Sequence, residues 1–552
     1  MMQIPDPIHG YISLSGMYAD IVNTPEFQRL RSVEQGSFRP VYPGARHDRF
    51  IHSLGTYHLA TKFVEHFFKN LKEDLGIVLD KDTVKLLKTT FRYAALLHDI
   101  GHAPFSHTTE NFFLDTKTAP DSKIPLIWTQ LADAIEDTLK DGKGENAWEV
   151  PLFRKPQGVK PDKPYIGAAH EIMSALVMVD SREIFLKSKD RDWVDLALAA
   201  RMVIGYTYSP EDPDIPDTAD FVQLGVRNGL IQLLNYSVLD VDRLDYMVRD
   251  ARMSGFFNAP LDLERLAASV TAIRDPKIPG TDLLLPAYRD SALSVFDLMF
   301  QAKLSHDTWV LANPVGPYEA GLIAHCIRNL APDYIEKVFS RGALSRDGII
   351  YNNKTYRLLS DVDVSADLKS HAFGSDPNYT ELYTRELGVH RTPAWRSYHE
   401  YYHLFSDIGP DKVYEFFAPL LKFMEENNLI IFDEATWNLI HAQGNTEAMV
   451  PAGFLRDYLI SIANKDQKEQ YNVVLLDRTN HFTLKLDPAQ IYIVFSKKNI
   501  PLCQGGRNYS SYSQLNGIVK QHRTAKYFYL FRHGSLGSVQ LPTFRDELKK
   551  LI

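Results

Sequence analysis

A helix that ends in a cluster of polar, metal-competent side chains is the strongest constraint in this chain. From Val84 onward Leu87, Phe91, Ala94 and Leu97 recur at three-to-four-residue spacing, the pattern of a helix that buries one face. The run closes on Leu97-His98-Asp99-Ile-Gly-His102-Ala-Pro-Phe-Ser-His107, where glycine and proline stop the helix and three histidines and a carboxylate fall within ten positions. Adjacent imidazole and carboxylate groups at a helix end can both reach one divalent ion, the first through nitrogen and the second through oxygen. A His-Asp pair alone is more often a structural hydrogen-bonded pair. The Leu-Leu-His-Asp-Ile-Gly-His context favours the ligand pair.

Two ligands cannot hold a catalytic metal. Candidates for the others are His52, which opens the helix of Arg49-Phe-Ile-His52-Ser-Leu-Gly, and Asp242, within Leu239-Asp-Val-Asp242-Arg243-Leu-Asp-Tyr246. His52 and His98 are 46 residues apart and Asp99 and Asp242 are 143 apart, so the set has meaning only if the helices pack together. On a helix Asp242, Tyr246 and Asp250 share a face. Leu239, Val241 and Leu244 interleave the acids Asp240, Asp242 and Asp245, so some of these acids are expected near the buried side. Arg49 and Arg243 flank the proposed ligands, where a guanidinium fork suits phosphate as well as it suits a surface ion pair. His47 and His58 are expected to be structural.

Around this site the chain reads as mostly helix through its first 310 residues. A helix starts at Thr24-Pro25-Glu26 and carries Phe27, Leu30, Arg31 and Gln35; a second runs from Phe50 through Leu54, Leu59, Phe63 and Phe67. Residues from about 115 to 168 read as an insertion with one helix near Trp128 to Leu139. Periodicity resumes at His170 to Val179 and Trp193 to Ile204, breaks in the acidic proline-rich stretch Ser209 to Asp217, and returns from Leu224 to Arg252. Beyond about 380, strand-like runs appear at Val473 to Leu476, Phe482 to Leu486, Ile491 to Phe495 and Tyr527 to Phe531. The expected fold is mainly α: a helical body over 1–380 and a smaller C-terminal α+β lobe over 381–552, assigned to regulation or oligomerisation.

Composition removes several function classes. At 45% hydrophobic, 24% charged and a net charge of −8, the chain has an ordinary soluble globular composition and no basic surplus for bulk binding of duplex nucleic acid. Cys326 and Cys503 are the only cysteines, too few for a disulfide framework or a thiolate zinc site, which suits a reducing cytoplasm. Met-Met-Gln-Ile-Pro-Asp-Pro is no signal peptide, and the most apolar stretch, Val194 to Tyr206, is interrupted by Arg201. A cytoplasmic protein without a membrane partner is expected, with nucleic acid possible as a partner but not predicted.

Taken together, Asp6-Pro-Ile-His-Gly10, Thr24-Pro-Glu-Phe-Gln-Arg-Leu-Arg31, Tyr42-Pro-Gly-Ala45, Arg49-Phe-Ile-His-Ser-Leu-Gly55, His98 to His107 and Asp240-Val-Asp-Arg-Leu-Asp-Tyr246 resemble the HD-domain metallophosphohydrolases. Within them the chain is most similar to the sterile-alpha-motif and HD-domain deoxynucleoside triphosphate triphosphohydrolases, without the sterile-alpha-motif domain. The resemblance is strong over roughly residues 1–255. It implies that His52, His98, Asp99 and Asp242 hold one divalent metal per subunit (Mn, Mg, Fe, Ni or Zn), and that His102, His107, His170 and Glu110 are catalytic, with Glu110 where the family usually has aspartate. It further implies that Arg49 and Arg243 bind phosphate, that Gln35 and Asp250 bind the sugar 3′-hydroxyl, and that Tyr246 stacks beneath the deoxyribose. The implied reaction converts a deoxynucleoside triphosphate to deoxynucleoside and inorganic triphosphate, in a homo-oligomer (dimer or tetramer). Gln28 and Arg31 keep part of an activator site. Asn23 replaces a guanine-reading aspartate and Met2 a lysine, which argues against activation by a guanine nucleotide. Phe296 to Asp307 lacks the arginine and tyrosine expected near triphosphate and base, so no base preference is implied. Rival readings are hydrolysis of another nucleotide phosphate (monophosphate, cyclic nucleotide or alarmone) and a nucleotide or nucleic-acid sensor with vestigial hydrolysis.

Overall fold

The computed structural model describes residues 1–552 except 37–38, 115–123, 142–147, 157, 161–162, 164, 210–211, 213, 217–218, 236–238, 256–260, 277–281, 307–309, 312, 373–381, 383–391, 463–471, 479–490, 496–497, 502, 505–506, 509–525 and 533–540. The strand expected at Phe482 to Leu486 lies outside the described residues, as do parts of the expected insertion and of the proline-rich stretch.

The architecture is mainly α, as the periodicity requires. Six helices build the core of the site: α1 (Arg49–Leu75), α2 (Lys81–Leu97), α3 (Ala169–Asp180), α4 (Leu196–Ile204), α5 (Phe221–Leu234) and α6 (Val241–Met253). Their ends follow local chemistry. The Asp48 carboxylate caps α1 by accepting from the Ile51 amide at 3.0 Å, and Gly76, at φ 68°, ends that helix in the left-handed region where a side chain would be strained. Asp80 caps α2 and Asp240 caps α6 in the same way. Leu54, Phe63, Phe67, Phe91, Ala94 and Leu97 are all fully buried, so α1 and α2 bury the faces that the spacing assigns to the core.

Five local expectations change. A two-stranded hairpin, Met2–Asp6 against Gly10–Leu14, precedes the first helix. The helix begun at Pro25 ends at Gln28 and tightens into a 3-10 turn, Arg29–Ser32, so Gln35 lies beyond it. Trp193 precedes α4 in a turn, and the single run from Leu224 to Arg252 divides into α5 and α6. Within the stretch read as mostly helix, Val270–Arg274 and Leu284–Arg289 are antiparallel strands, and β-branched Val270, Thr271 and Ile273 are the residue types that suit a strand.

Those two strands belong to a four-stranded sheet completed from far along the chain. Tyr492–Phe495 lies parallel to Leu284–Arg289, with Tyr492 opposite Ala287, and Lys498–Pro501 forms the edge. A second, antiparallel sheet orders Thr392–Pro393, Phe528–Arg532, Val473–Asp477 and Ile431–Phe432, packed with helices Pro410–Glu426 and Thr446–Ile462. Its Phe531 stacks on Tyr318 of helix Val315–Arg328, with ring centroids 4.6 Å apart.

The helix expected near Trp128 spans Leu126–Asp141. Beside it Glu149 and Arg201, both fully buried, form an ion pair at 2.7 Å, and the Arg201 guanidinium lies 4.1 to 5.1 Å from the rings of Phe153, Tyr206 and Tyr208. The charge that interrupts the most apolar segment is thus neutralised by an acid beyond the expected helix. Among the described residues, no helix is long and apolar enough to cross a membrane.

Candidate metal centre and active site

The end of α2 and the first turns of α1 and α6 converge. His52 Nε2 lies 2.8 Å from Asp242 Oδ1, 3.3 Å from His98 Nε2 and 3.7 Å from Asp99 Oδ2. His98 Nε2 is 3.5 Å from both Asp99 Oδ1 and Asp242 Oδ1. Four side chains from three separate stretches therefore face one point, and His52, His98 and Asp242 form a group that could hold a metal ion.

The surroundings set the protonation pattern that a metal needs. His98 Nδ1 is 2.9 Å from the Ala95 carbonyl, which can only accept, so Nδ1 carries the hydrogen and Nε2 presents its lone pair. His52 faces a carboxylate oxygen at each ring nitrogen, Asp245 Oδ2 2.8 Å from Nδ1 and Asp242 Oδ1 2.8 Å from Nε2. The two Nε2 atoms, 3.3 Å apart, would repel unless a proton or a metal cation lies between them and the carboxylates. Burial disfavours a protonated His52, yet Asp242 and Asp245 outweigh it and lift the ring to about 10. The cavity is built for positive charge. Its two imidazoles and two carboxylates suit a borderline or hard divalent ion.

Behind the ligands stands a layer that the sequence reading did not single out. Asp245 accepts from Arg249 at 2.8 and 2.9 Å and pairs with His9 Nε2 at 2.7 Å, while Arg249 also reaches Asp6 at 2.8 Å. Burial opposes the Asp245 carboxylate, but Arg249, His52 and His9 hold it well below the usual range. The available signal was the i,i+4 pair Asp245 and Arg249 on a helix that also carries Asp242. Arg29, fully enclosed, donates to the carbonyls of Ile100, His102 and Leu359 and so fixes the turn after α2.

A second cluster adjoins the first. Gly101 is required for it, because a Cβ there would stand 2.3 Å from the Ser174 amide nitrogen of α3. This close approach sets His170 of α3 against His102, with rings stacked at 4.2 Å and 17°, and His107 edge-on to both at 5.1 Å. Glu110 hydrogen-bonds Nδ1 of His107 at 3.3 Å and Nδ1 of His170. Burial works against a charged His170, but Glu110 more than offsets it and raises the ring; burial, aided by Arg49, holds His102 well below the usual value and therefore neutral. Phe105 and Ser106, at φ 59° and 50°, carry the turn between His102 and His107, and Asp361 pins it by accepting from the Phe105 amide at 2.7 Å.

The remaining expected residues take varied positions. Arg49 is buried and donates to Asp99 Oδ2 at 2.8 Å, to Ser106 Oγ at 3.0 Å and to the Gln35 carbonyl at 2.8 Å. Gln35 is itself buried, and its Oε1 has no hydrogen-bond partner among the described residues. Asp250 is paired with His47 at 2.7 Å, which gives His47 the structural role expected of it. Tyr246 lies edge-on to His52 at 6.4 Å between centroids, and buried Lys303, another residue not singled out from sequence, has its Nζ 5.6 Å from the Tyr246 ring. Arg243 lies one residue beyond Asp242, its guanidinium 3.7 Å from Asp240. Arg31 donates from Nε to Gln28 Oε1 at 2.9 Å, and its guanidinium lies 3.6 Å from the ring centroid of Phe50 in the first turn of α1.

Residues 49–140, which include His52, His98 and Asp99, match the family model of the HD domain. Its sequence relatives include proteins named deoxynucleoside triphosphate triphosphohydrolase and uncharacterized proteins. The chain is 28% identical to SAMHD1 of Homo sapiens over 268 residues, 47% of this chain and 34% of that one, and 42% identical to SAMHD1 of Xenopus laevis over 110 residues, 20% and 16% of the two chains. The matches thus span about a third or less of these relatives' own length. Two solved structures share the fold along nearly the whole chain. A phosphohydrolase from Bacteroides thetaiotaomicron has a TM-score of 0.52 at 18% identity, covering 96% of this chain and 100% of its own; a hypothetical protein from Aquifex aeolicus has a TM-score of 0.53 at 16% identity, covering 99% of both.

Proposed function

We propose that the protein is a metal-dependent phosphohydrolase that converts deoxynucleoside triphosphates to deoxynucleoside and inorganic triphosphate. The observation that carries this reading is the convergence of His52, His98, Asp99 and Asp242, with His98 Nε2 left free to ligate by the Ala95 carbonyl at Nδ1. The similarity to relatives named as deoxynucleoside triphosphate triphosphohydrolases supports the choice of substrate.

In this reading the four residues hold one divalent cation, which when bound polarises a phosphoryl oxygen and makes water a stronger nucleophile. The protein supplies the rest. Asp245 and the Ala95 carbonyl keep the ligand rings oriented. Arg49 locks Asp99 in place and adds positive charge beside the phosphate path, with Arg243 on the opposite helix. His170, kept basic by Glu110, holds a proton that can pass to the departing nucleoside oxygen. Gln35, Tyr246 and Asp250 take the sugar, and Gln28 and Arg31 are the remnant of an activator site. The homo-oligomer and the separate C-terminal lobe belong to the same proposal.

Incubation with each deoxynucleoside triphosphate and Mn2+, followed by chromatography, tests it. The expected products are nucleoside and triphosphate, lost in His98→Ala and Asp99→Ala. Release of orthophosphate or pyrophosphate instead would move the substrate to another nucleotide phosphate, and absence of turnover by metal-loaded protein would end the hydrolase reading.

A further inference from the structure

We infer that Asp361, from a helix well outside residues 49–140, is a positioning residue for the proposed reaction: its carboxylate straps together the two loops that hold Arg49 beside the metal centre. The inference rests on the phosphohydrolase reading for what the strap accomplishes, though not for the strap itself.

Both oxygens of Asp361 are committed to other segments. Oδ1 accepts from the Phe105 amide at 2.7 Å and Oδ2 from the Glu34 amide at 2.9 Å, so one carboxylate bridges the turn after α2 and the loop before α1. It is free to do so because Asp363 accepts from the Ser360 amide and hydroxyl and closes the start of helix Asp361–Ala372 in its stead. The bridged loops also touch each other. Ser106 donates its hydroxyl to the Glu34 carbonyl and accepts from Arg49 Nε at 3.0 Å, while the Gln35 carbonyl accepts from the same guanidinium at 2.8 Å. Two of the three groups that hold Arg49 thus lie one residue from an amide that Asp361 grips, and the third is Asp99 itself.

The same segment grips the turn a second time. The Leu359 carbonyl accepts from Arg29, whose other terminal nitrogen donates to the carbonyls of Ile100 and His102. The turn needs such support, because Phe105 and Ser106 both take the left-handed conformation, which persists only where the surroundings over-determine it. Stability alone does not account for the strap. Asp361 is buried, and burial pushes its carboxyl up to about 7 against the pull of both amides and of Arg29. A carboxyl raised above its unfolded value weakens the fold wherever it is ionised. An enclosed acid of this kind, aimed at two loops of the site, fits a role in placing Arg49 and the turn.

Asp361→Asn, in the full chain loaded with Mn2+, tests the role, since it keeps one acceptor oxygen and removes the charge. Melting temperature and Mn2+ content should stay near those of the wild type. Because the strap touches no substrate, kcat for deoxynucleoside triphosphate hydrolysis should fall roughly 10- to 100-fold while KM changes less than about threefold. Hydrogen exchange read by mass spectrometry should quicken in peptides covering Glu34 and Phe105. Ser106→Ala follows the same route without touching the buried acid, and its loss of kcat should not add to that of Asp361→Asn. Unchanged exchange at both loops would overturn the strap; unchanged kcat beside faster exchange, or additive losses in the double variant, would overturn its positioning role. Should Asp361→Asn fail to fold, wild-type kcat in Ser106→Ala would overturn the inference and a matching loss would uphold it. A wild type that hydrolyses no deoxynucleoside triphosphate would end the hydrolase reading, and exchange would then decide the strap by itself.

Discussion

Gly55 of α1 and Asp245 of α6 occupy adjoining space so tightly that a Cβ on Gly55 would stand 2.0 Å from Asp245 Oδ1 and 2.4 Å from an Arg249 nitrogen. The missing side chain is what lets α6 approach and bring Asp242 and Asp245 to the two ring nitrogens of His52. Gly55→Ala should therefore displace a carboxylate that three neighbours hold, at a cost of about 1–3 kcal/mol from overpacking. Thermal unfolding would register the loss, and Mn2+ content should fall in the same variant.

Asp245→Asn tests the layer behind the ligands without changing shape. The amide keeps an acceptor near His52 Nδ1 but removes the charge that balances Arg249 and strengthens the ring as a donor. Metal affinity should drop roughly 10- to 100-fold. Competition with a chelating dye measures it, and unchanged affinity would show that Asp245 serves the fold alone.

The buried pair Glu149 and Arg201 should show the asymmetry of enclosed charges. Glu149→Ala strands the guanidinium among aromatic rings and should cost about 3–5 kcal/mol, whereas Glu149→Ala with Arg201→Met should recover much of it. Urea denaturation of the single and double variants distinguishes this from plain loss of volume.

Glu26 provides a pH-dependent contribution remote from the metal. Burial alone would raise its carboxyl, but hydrogen bonds from Arg346 at 2.7 and 2.8 Å hold it below the usual glutamate value of 4.5. A depressed carboxyl stabilises the fold above the unfolded value, and that contribution is lost as pH falls through the folded one. Arg346 is 45% exposed, so Arg346→Ala should cost only about 1–2 kcal/mol near neutrality. The gap between wild-type and variant melting curves should narrow below pH 4.5.

The candidate metal centre was legible because the chemistry is concentrated: His98 and Asp99 are neighbours in sequence, and Asp242 lies in the first turn of a capped helix. What joins them was not. No pattern in 49–55 states that Gly55 faces Asp245, and nothing local in 98–102 states that Gly101 must admit the backbone of α3. Helix periodicity placed the cores of α1 and α2 correctly, since burial follows spacing there. It missed the strand Leu284–Arg289, one of whose two partners lies some two hundred residues onward, and it merged α5 with α6 because apolar spacing continues across the break. Gln35 was put on a helix that Gln28 already ends, because a 3-10 turn keeps nearly the same spacing for one more turn.

The parallel pairing of Tyr492–Phe495 with Leu284–Arg289 has a consequence for synthesis. When the ribosome has delivered the whole metal centre, one edge of the body's sheet still has its backbone donors and acceptors unpaired, and it stays so until another two hundred residues have emerged. An uncovered edge of that kind invites pairing with other chains. The late strands thus move that edge of the sheet from Leu284–Arg289 to Lys498–Pro501, and chains cut short before Tyr492 would leave Leu284–Arg289 open and aggregate even with His52, His98, Asp99 and Asp242 in place.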